Sequence, residues 1–207
     1  MTRNGGVVII GAARTAIGRF GGTVSRVPAV ELGGVAIRAA VDRAGVDPAT
    51  IDEVLVGQVL QAGCGQAPAR QAALKAGLPF SVGATTVNKV CGSGLKTVAL
   101  GANSIAAGDA EIIVAAGMES MNMGPYLLAD ARTGYRLGNA ELVDATVHDG
   151  LWCPVENWHM GNSAELIADV MGISREEMDV VALQSQQKAI KATGEGRFKE
   201  EIAPVSV

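Results

Sequence analysis

The stretch that decides the fold lies at residues 85–95 and reads Thr85-Thr86-Val87-Asn88-Lys89-Val90-Cys91-Gly92-Ser93-Gly94-Leu95. The β-branched residues at its start predict a strand, and the residues after Gly92 predict a helix. Cys91 would therefore lie at the start of that helix, where unpaired N–H groups and the positive end of the helix dipole stabilise a thiolate. Gly92 and Gly94 leave room for a reactant to approach the sulfur. The stretch indicates a nucleophilic cysteine, and the alternative is a small buried apolar residue.

Around this stretch, apolar strand-like runs alternate with helix-like segments over the first 117 residues. The predicted strands are residues 7–10, 54–60, the run before Cys91, and 111–117, and the predicted helices are residues 28–45, 67–76 and 92–108. Because parallel strands need a crossover between them and a helix usually provides it, the alternation predicts an α/β protein with a mostly parallel sheet.

The helix after Cys91 is apolar or small around nearly its whole circumference. Leu95, Val98, Leu100 and Ile105 show no polar face between them. A helix of this composition is typical of a position buried on all sides. We therefore expect a layered protein with more cover than a single sheet provides.

The character of the sequence changes at Met118. Residues 118–150 show no sustained period, and two capping-box patterns follow, Asn162-x-x-Glu165 and Ser174-x-x-Glu177. The sequence therefore predicts two regions, residues 1–117 as a β-α-β unit and residues 118–207 as an insertion with capped helices.

Composition excludes several function classes. The net charge is −4, so we expect no nucleic-acid partner. No apolar run approaches the roughly 20 residues of a membrane-spanning helix, and residues 7–10 are too brief for a signal peptide. The three cysteines include no Cys-x-x-Cys pair, which indicates reduced thiols and a cytoplasmic location. Neither metal-ligand spacing nor a Gly-x-Gly-x-x-Gly loop is present, so no metal and no cofactor are expected.

Seven stretches, in order along the whole chain, resemble the first half of a thiolase, the family that makes or cleaves 3-ketoacyl-coenzyme A thioesters. They are Ala13-Arg14-Thr15 with Ile17-Gly18, Gly57-Gln58-Val59-Leu60-Gln61-Ala62-Gly63, Gln66-Ala67-Pro68-Ala69-Arg70-Gln71-Ala72, Asn88-Lys89-Val90-Cys91-Gly92-Ser93-Gly94, Ala115-Ala116-Gly117-Met118-Glu119-Ser120-Met121, Asp149-Gly150-Leu151 and His159-Met160-Gly161.

The resemblance implies a layered α/β/α fold, of which residues 1–117 would form the N-terminal half and residues 118–207 part of the inserted loop domain. It implies reversible Claisen condensation of two acetyl-CoA molecules to acetoacetyl-CoA through an acyl-cysteine at Cys91, whose own backbone N–H would be one of two donors to the thioester oxygen. His159 and Met160 would line the acyl and pantetheine channel, and Leu151 would contact coenzyme A. A homo-oligomer, dimer or tetramer, is also implied.

Alternatives remain at several of these points. The degradative 3-ketoacyl-CoA thiolase is close to the biosynthetic, short-chain type. The family's second half carries the Asn-Glu-Ala and Gly-His-Pro motifs and a second catalytic cysteine, so the chain alone is expected to be inactive, as a non-catalytic fragment or as a subunit completed by a separate C-terminal half. His159 could instead be a structural histidine and Leu151 a packing residue. Cys64 and Cys153 are interpreted as inert.

Overall fold

The computed structural model describes residues 6–207, which form two compact units. Residues 6–150 and 203–207 make the first unit, and residues 151–202 make the second. The helices of the first unit are α1 (Ala29–Ala44), α2 (Pro68–Lys75), α3 (Ser93–Ala107) and α4 (Ala145–Gly150), and its strands are β1 (Glu53–Gly57), β2 (Gly83–Val87), β3 (Ile113–Gly117), β4 (Tyr126–Leu127) and β5 (Val143–Asp144). The second unit holds strands β6 (Trp152–Cys153) and β7 (Trp158–His159) and helices α5 (Met160–Met171) and α6 (Arg175–Gly194). The predicted domain boundary after Gly117 stays a prediction.

The sheet of the first unit has strand order β2-β1-β3, with both pairings parallel. Val54 at its centre faces Ala84 on one side and Val114 on the other. Since each connection between parallel strands must cross over, the helices between them lie against the sheet, as the alternating pattern predicted. The α/β class with a parallel sheet is therefore confirmed.

Opposite faces of the sheet contact different helices. Val54 and Val56 are fully buried in one core cluster with residues of α1 and α2, including Ile37 and Ala72. Because side chains alternate across a strand, a Cβ at Gly57 would lie on the other face of the sheet. Helix α3 packs on that face. The start of α3 thus lies over the carboxyl ends of the strands.

The outer face of α3 is exposed in this chain. Ser93, Thr97 and Gly101 are buried against the sheet, whereas Leu95 is 78% exposed and Val98 40% exposed. The described residues provide only one packing layer for α3, so the cover that would bury it on all sides is not among them.

The predicted strand at residues 7–10 is also absent. Val8 and Ile9 are 74% and 79% exposed, and the segment carries no ladder to any described strand. An apolar run favours extended backbone, but a strand also requires a neighbour whose N–H and C=O groups are free to pair. Within residues 6–207 no such neighbour lies beside this segment.

In the second unit, β6 and β7 form a short antiparallel hairpin that leads into α5. The capping box at Ser174 is confirmed, because its hydroxyl accepts from the Glu177 N–H while the Glu177 carboxylate accepts from the Ser174 N–H. Within residues 6–207 no helix has both the length and the apolar character needed to cross a membrane.

Candidate active site

Cys91 occupies a sharp turn between β2 and α3. The strand ends at Val87, α3 begins at Ser93, and Gly92 is the residue that caps the helix. The Cys91 side chain is exposed. We call residues 88–93 the elbow.

Val90 gives the elbow its shape. Its φ angle is 47°, in the left-handed region that a β-branched residue rarely adopts. Such a conformation persists only where the surrounding structure holds it, and it is concentrated at functional sites. The contacts that hold Val90 are therefore part of the site.

Two side chains hold the elbow by hydrogen bonds to its backbone. The Ser93 hydroxyl accepts from the Lys89 N–H at 2.8 Å and donates to the Val90 carbonyl at 2.6 Å. The Asn88 side-chain oxygen accepts from the Val90 N–H at 2.9 Å. Ser93 is buried, so its two bonds are shielded from water. Both peptide groups around Val90 are fixed in this way.

The backbone N–H of Cys91 remains available. The N–H groups of Gly92 and Ser93 donate to the carbonyls of Lys89 and Val90, at 3.1 and 3.0 Å. Together with the bonds of Lys89 and Val90, this engages every N–H of residues 89–93 except that of Cys91, for which the described residues provide no acceptor in hydrogen-bonding geometry. A free N–H next to a nucleophilic sulfur can donate to an oxyanion formed at the attacked carbonyl.

Three glycines let α3 begin directly on the sheet. A Cβ at Gly57, the last residue of β1, would lie 2.4 Å from the carbonyl carbon of Ser93. A Cβ at Gly117, the last residue of β3, would lie 3.2 Å from the Cα of Gly94. The elbow therefore lies at the carboxyl ends of β1 and β3, an edge where parallel α/β sheets commonly place their sites.

The carboxylate of Glu119, which sequence reasoning did not single out, anchors the loop that follows β1. Glu119 accepts hydrogen bonds from the N–H groups of Val59 and Leu60 at 2.9 and 3.2 Å. Burial raises the pKa of Glu119, and these two bonds oppose the rise. The Asn88 amide lies 3.5 Å from the Val59 carbonyl, so the anchored loop adjoins the elbow. An acidic residue directly after an apolar strand was the signal available in the sequence.

The second unit brings Leu151, His159 and Met160 together. Trp152 pairs with His159 across the hairpin, and the Met160 N–H donates to the Leu151 carbonyl at 2.8 Å. His159 is also the N-cap of α5, because its Nδ1 accepts from the Gly161 N–H at 3.0 Å. A neutral imidazole that accepts at Nδ1 carries its proton at Nε2, so the outer nitrogen is a donor.

The capping box predicted at Asn162 is wrong. Asn162 lies inside α5, which begins at Met160. The helix starts earlier than the pattern indicated because the hairpin leads into it and His159 supplies the cap. His159 thus has the structural contact that was its alternative interpretation, and its exposed ring leaves the predicted role in substrate binding open to test.

The other cysteines are less exposed than Cys91. Cys64 and Cys153 are partly buried, and the Cys64 sulfur lies 3.2 Å from the side-chain nitrogen of buried Gln58. Across residues 6–207 no three His, Cys, Asp or Glu side chains are grouped to hold a metal ion. Of the three thiols, Cys91 is the one that the fold presents at a helix start.

Comparison with known proteins decides the family. Residues 7–207 match the family described as "Thiolase, N-terminal domain". The chain belongs to the thiolase family. Acetyl-CoA acetyltransferases of Pseudomonas aeruginosa and Cupriavidus necator are 54% and 56% identical to it over 201 residues, and each alignment covers 97% of this chain.

A solved structure shows the same thiolase fold. The acetyl-CoA acetyltransferase of Syntrophomonas wolfei superposes with a TM-score of 0.93 at 44% identity, covering 97% of this chain. The chain spans about half the length of these relatives, 51% of the two curated proteins and 50% of the solved chain. The resemblance to the N-terminal half of a thiolase is thus confirmed.

Proposed function

We propose that this chain carries the acylated nucleophile of a thiolase-type acyltransferase and that its substrate is acetyl-CoA. The observation that carries the proposal is the exposed Cys91 thiol beside its own unengaged backbone N–H. Support comes from the relatives at 54% and 56% identity, which are named acetyl-CoA acetyltransferases.

The first chemical step follows from this geometry. The Cys91 thiolate attacks the thioester carbonyl of acetyl-CoA, a bond forms between its sulfur and the carbonyl carbon, and the oxygen becomes an oxyanion that the Cys91 N–H stabilises. The bond to the coenzyme A sulfur then breaks, and coenzyme A leaves as a thiolate that takes a proton from solvent. Cys91 is left acetylated.

In the second step a carbanion attacks the acetyl group. A second acetyl-CoA loses an α-proton to a base, its carbon bonds to the acetyl carbon, and the Cys91 thiolate is released with acetoacetyl-CoA as product. We assign no residue of this chain as that base. In the second unit, Leu151, His159 and Met160 are proposed to contact the substrate, with the His159 Nε2–H as a donor to its polar groups.

Acetylation of the chain by radiolabelled acetyl-CoA tests the proposal. We expect slow incorporation of one acetyl group, located at Cys91 by peptide mapping, and loss of the label in C91A. The variants C64A and C153A are matched controls that should incorporate label as wild type does. Label at Cys64 or Cys153, or no label on a Cys91 that iodoacetamide does modify, would contradict the proposal.

The degradative direction remains the close alternative within the family. Comparing acetoacetyl-CoA with long-chain 3-ketoacyl-CoA as acyl donors to Cys91 separates the two. Preferential acylation by the short chain supports the biosynthetic type, and faster acylation by the long chain would favour degradation.

A second candidate function is that of a non-catalytic fragment or one half of a split thiolase. The exposed apolar outer face of α3, with Leu95 78% exposed, favours it, because a large apolar face is typical of a surface that another chain covers. The 207-residue chain alone should then show no steady turnover of acetoacetyl-CoA, and sustained turnover would refute this candidate. A homo-oligomer and a cytoplasmic location stay predictions.

A further inference from the structure

We propose that Ser93 is a positioning residue for the Cys91 oxyanion donor. It does not touch the substrate; it acts by holding the Asn88–Lys89 and Val90–Cys91 peptide groups, the second of which carries the Cys91 N–H. The inference rests on the proposed function, since it assigns how the nucleophile's own N–H is kept available.

The argument begins with the strain at Val90. A β-branched residue at a φ of 47° returns to extended or right-handed backbone unless its neighbours prevent it. Rotation at Val90 changes the direction of the following peptide, and that peptide carries the Cys91 N–H. The direction of this donor therefore depends on whatever holds Val90.

From within the protein, Ser93 holds the peptide group that follows Val90 and the peptide group that precedes Lys89. Its hydroxyl oxygen accepts from the Lys89 N–H, and its hydrogen goes to the Val90 carbonyl, which belongs to the same peptide as the Cys91 N–H. The Ser93 side chain is almost fully buried, so water cannot readily replace these bonds. Asn88 adds a weaker hold from the exposed side, through the Val90 N–H.

The hydrogen bonds within the elbow do not use the Cys91 N–H. Without the Ser93 hydroxyl, the Lys89 N–H loses its partner and the Val90 carbonyl keeps only its bond from the Ser93 backbone N–H, so the backbone can relax toward a regular turn. In such a turn the Cys91 N–H would donate to a backbone carbonyl or point away from the oxyanion. The thiol itself would remain exposed, because its exposure does not depend on these bonds.

The exposure of the Cys91 thiol and the direction of the Cys91 N–H can be measured by two different reactions. Alkylation of Cys91 by iodoacetamide requires an exposed thiolate and no oxyanion donor. Acetylation by S-phenyl thioacetate requires both: the Cys91 sulfur bonds to the acetyl carbon, an oxyanion forms, and thiophenolate leaves with the electron pair of the broken carbon–sulfur bond. The ratio of the acetylation rate to the alkylation rate at Cys91 therefore reports the donor, and peptide mapping reads it separately from Cys64 and Cys153.

We expect S93A to lower this ratio by tenfold or more, in keeping with losses of about 10²–10³ when an oxyanion donor is removed outright. The matched control is T97V, one turn further along the same buried face. Its hydroxyl donates to the Ala116 carbonyl at 3.0 Å, so the variant loses a buried bond of α3 without touching the elbow. T97V should keep the wild-type ratio.

A second variant, N88A, tests the same role if S93A does not fold. Asn88 is exposed, and N88A releases the Val90 N–H and only the long 3.5 Å contact with the Val59 carbonyl, so we expect a fall in the ratio of a few fold with an unchanged melting temperature. An unchanged ratio in both S93A and N88A, or an equal fall in T97V, would overturn the role of Ser93 while leaving the proposed function intact. Wild-type Cys91 that is alkylated but not acetylated would instead overturn the proposed function.

Discussion

The starts of α3 and α6 are built in opposite ways. At α6, Ser174 and Glu177 engage each other's backbone N–H groups in a capping box. At α3, Gly92 has no side chain to offer, and no side-chain cap is present. An uncapped helix start is less stable than a capped one. The start of α3 is therefore less stable than that of α6, and it leaves backbone N–H donors free beside a thiol. The polar side chains next to this start, those of Asn88 and Ser93, hold the elbow.

The largest expected effect comes from forcing α3 away from the sheet. G57A places a methyl group 2.4 Å from the Ser93 carbonyl carbon, and backbone cannot move aside as a flexible side chain can. We expect the free energy of unfolding to fall by about 3 kcal/mol, the upper part of the range for overpacking. Urea unfolding measures the fall, and acetylation of Cys91 should be lost with it.

The control for that variant is G194A. Gly194 lies at the end of α6, and a Cβ there meets nothing within 4 Å. The substitution should leave unfolding and acetylation unchanged or slightly stabilise the chain. Equal behaviour of G57A and G194A would show that the close contact between β1 and α3 is not needed.

Adding a charge to the start of α3 makes it resemble a capped terminus. G92D places a carboxylate next to Cys91, and its repulsion of a thiolate at a few ångströms should slow alkylation by iodoacetamide about tenfold. G92N has the same shape without the charge and should slow alkylation much less. If the two variants react alike, space rather than charge controls the thiol.

Removing the cap of α6 tests the other terminus. S174A deletes the hydroxyl that accepts from the Glu177 N–H, and we expect a loss of about 1 kcal/mol in the free energy of unfolding. S174D retains an acceptor and should recover most of it. Acetylation of Cys91 should not change in either variant, and a change would mean that the two termini are not independent.

The smallest expected effect is a pH dependence of the free energy of unfolding, which comes from Glu119. Burial raises the pKa of this carboxyl above its ordinary value of 4.5, so between the two values the folded chain binds more protons than the unfolded chain. The free energy of unfolding therefore falls as the pH rises through that window. E119Q should remove this slope in urea unfolding from pH 4 upward. A slope of the same size in E119Q would assign it to another group.

Local patterns predicted much of the first unit. Helix α1 ends at Ala44, where Gly45 adopts a φ of 64° and its N–H donates to the carbonyls of Val41 and Asp42. A glycine after a periodic apolar run carries that information in the sequence, because other residues rarely adopt the conformation. The parallel sheet followed from the same alternation of apolar runs and breakers.

The site depended on contacts that spacing does not encode. Val90 carries no sequence signal for a left-handed backbone, and the roles of Ser93 and Glu119 depend on which carbonyls and N–H groups the fold brings to them. The strand predicted at residues 7–10 failed for the same reason, since its apolar pattern cannot specify a pairing partner. His159 was singled out through family resemblance, and its capping of α5 was not foreseen.

The hydrogen bond from the Ala203 N–H to the Arg14 carbonyl joins two segments near opposite ends of the chain. During synthesis on the ribosome this bond cannot form until Ala203 has emerged, whereas the sheet around β1 needs only the residues up to β3. Contacts between residues so distant in sequence slow folding, because a long loop must close before they stabilise anything. The first unit should therefore acquire its core early and gain its last backbone pairing late, after all of the second unit has been made.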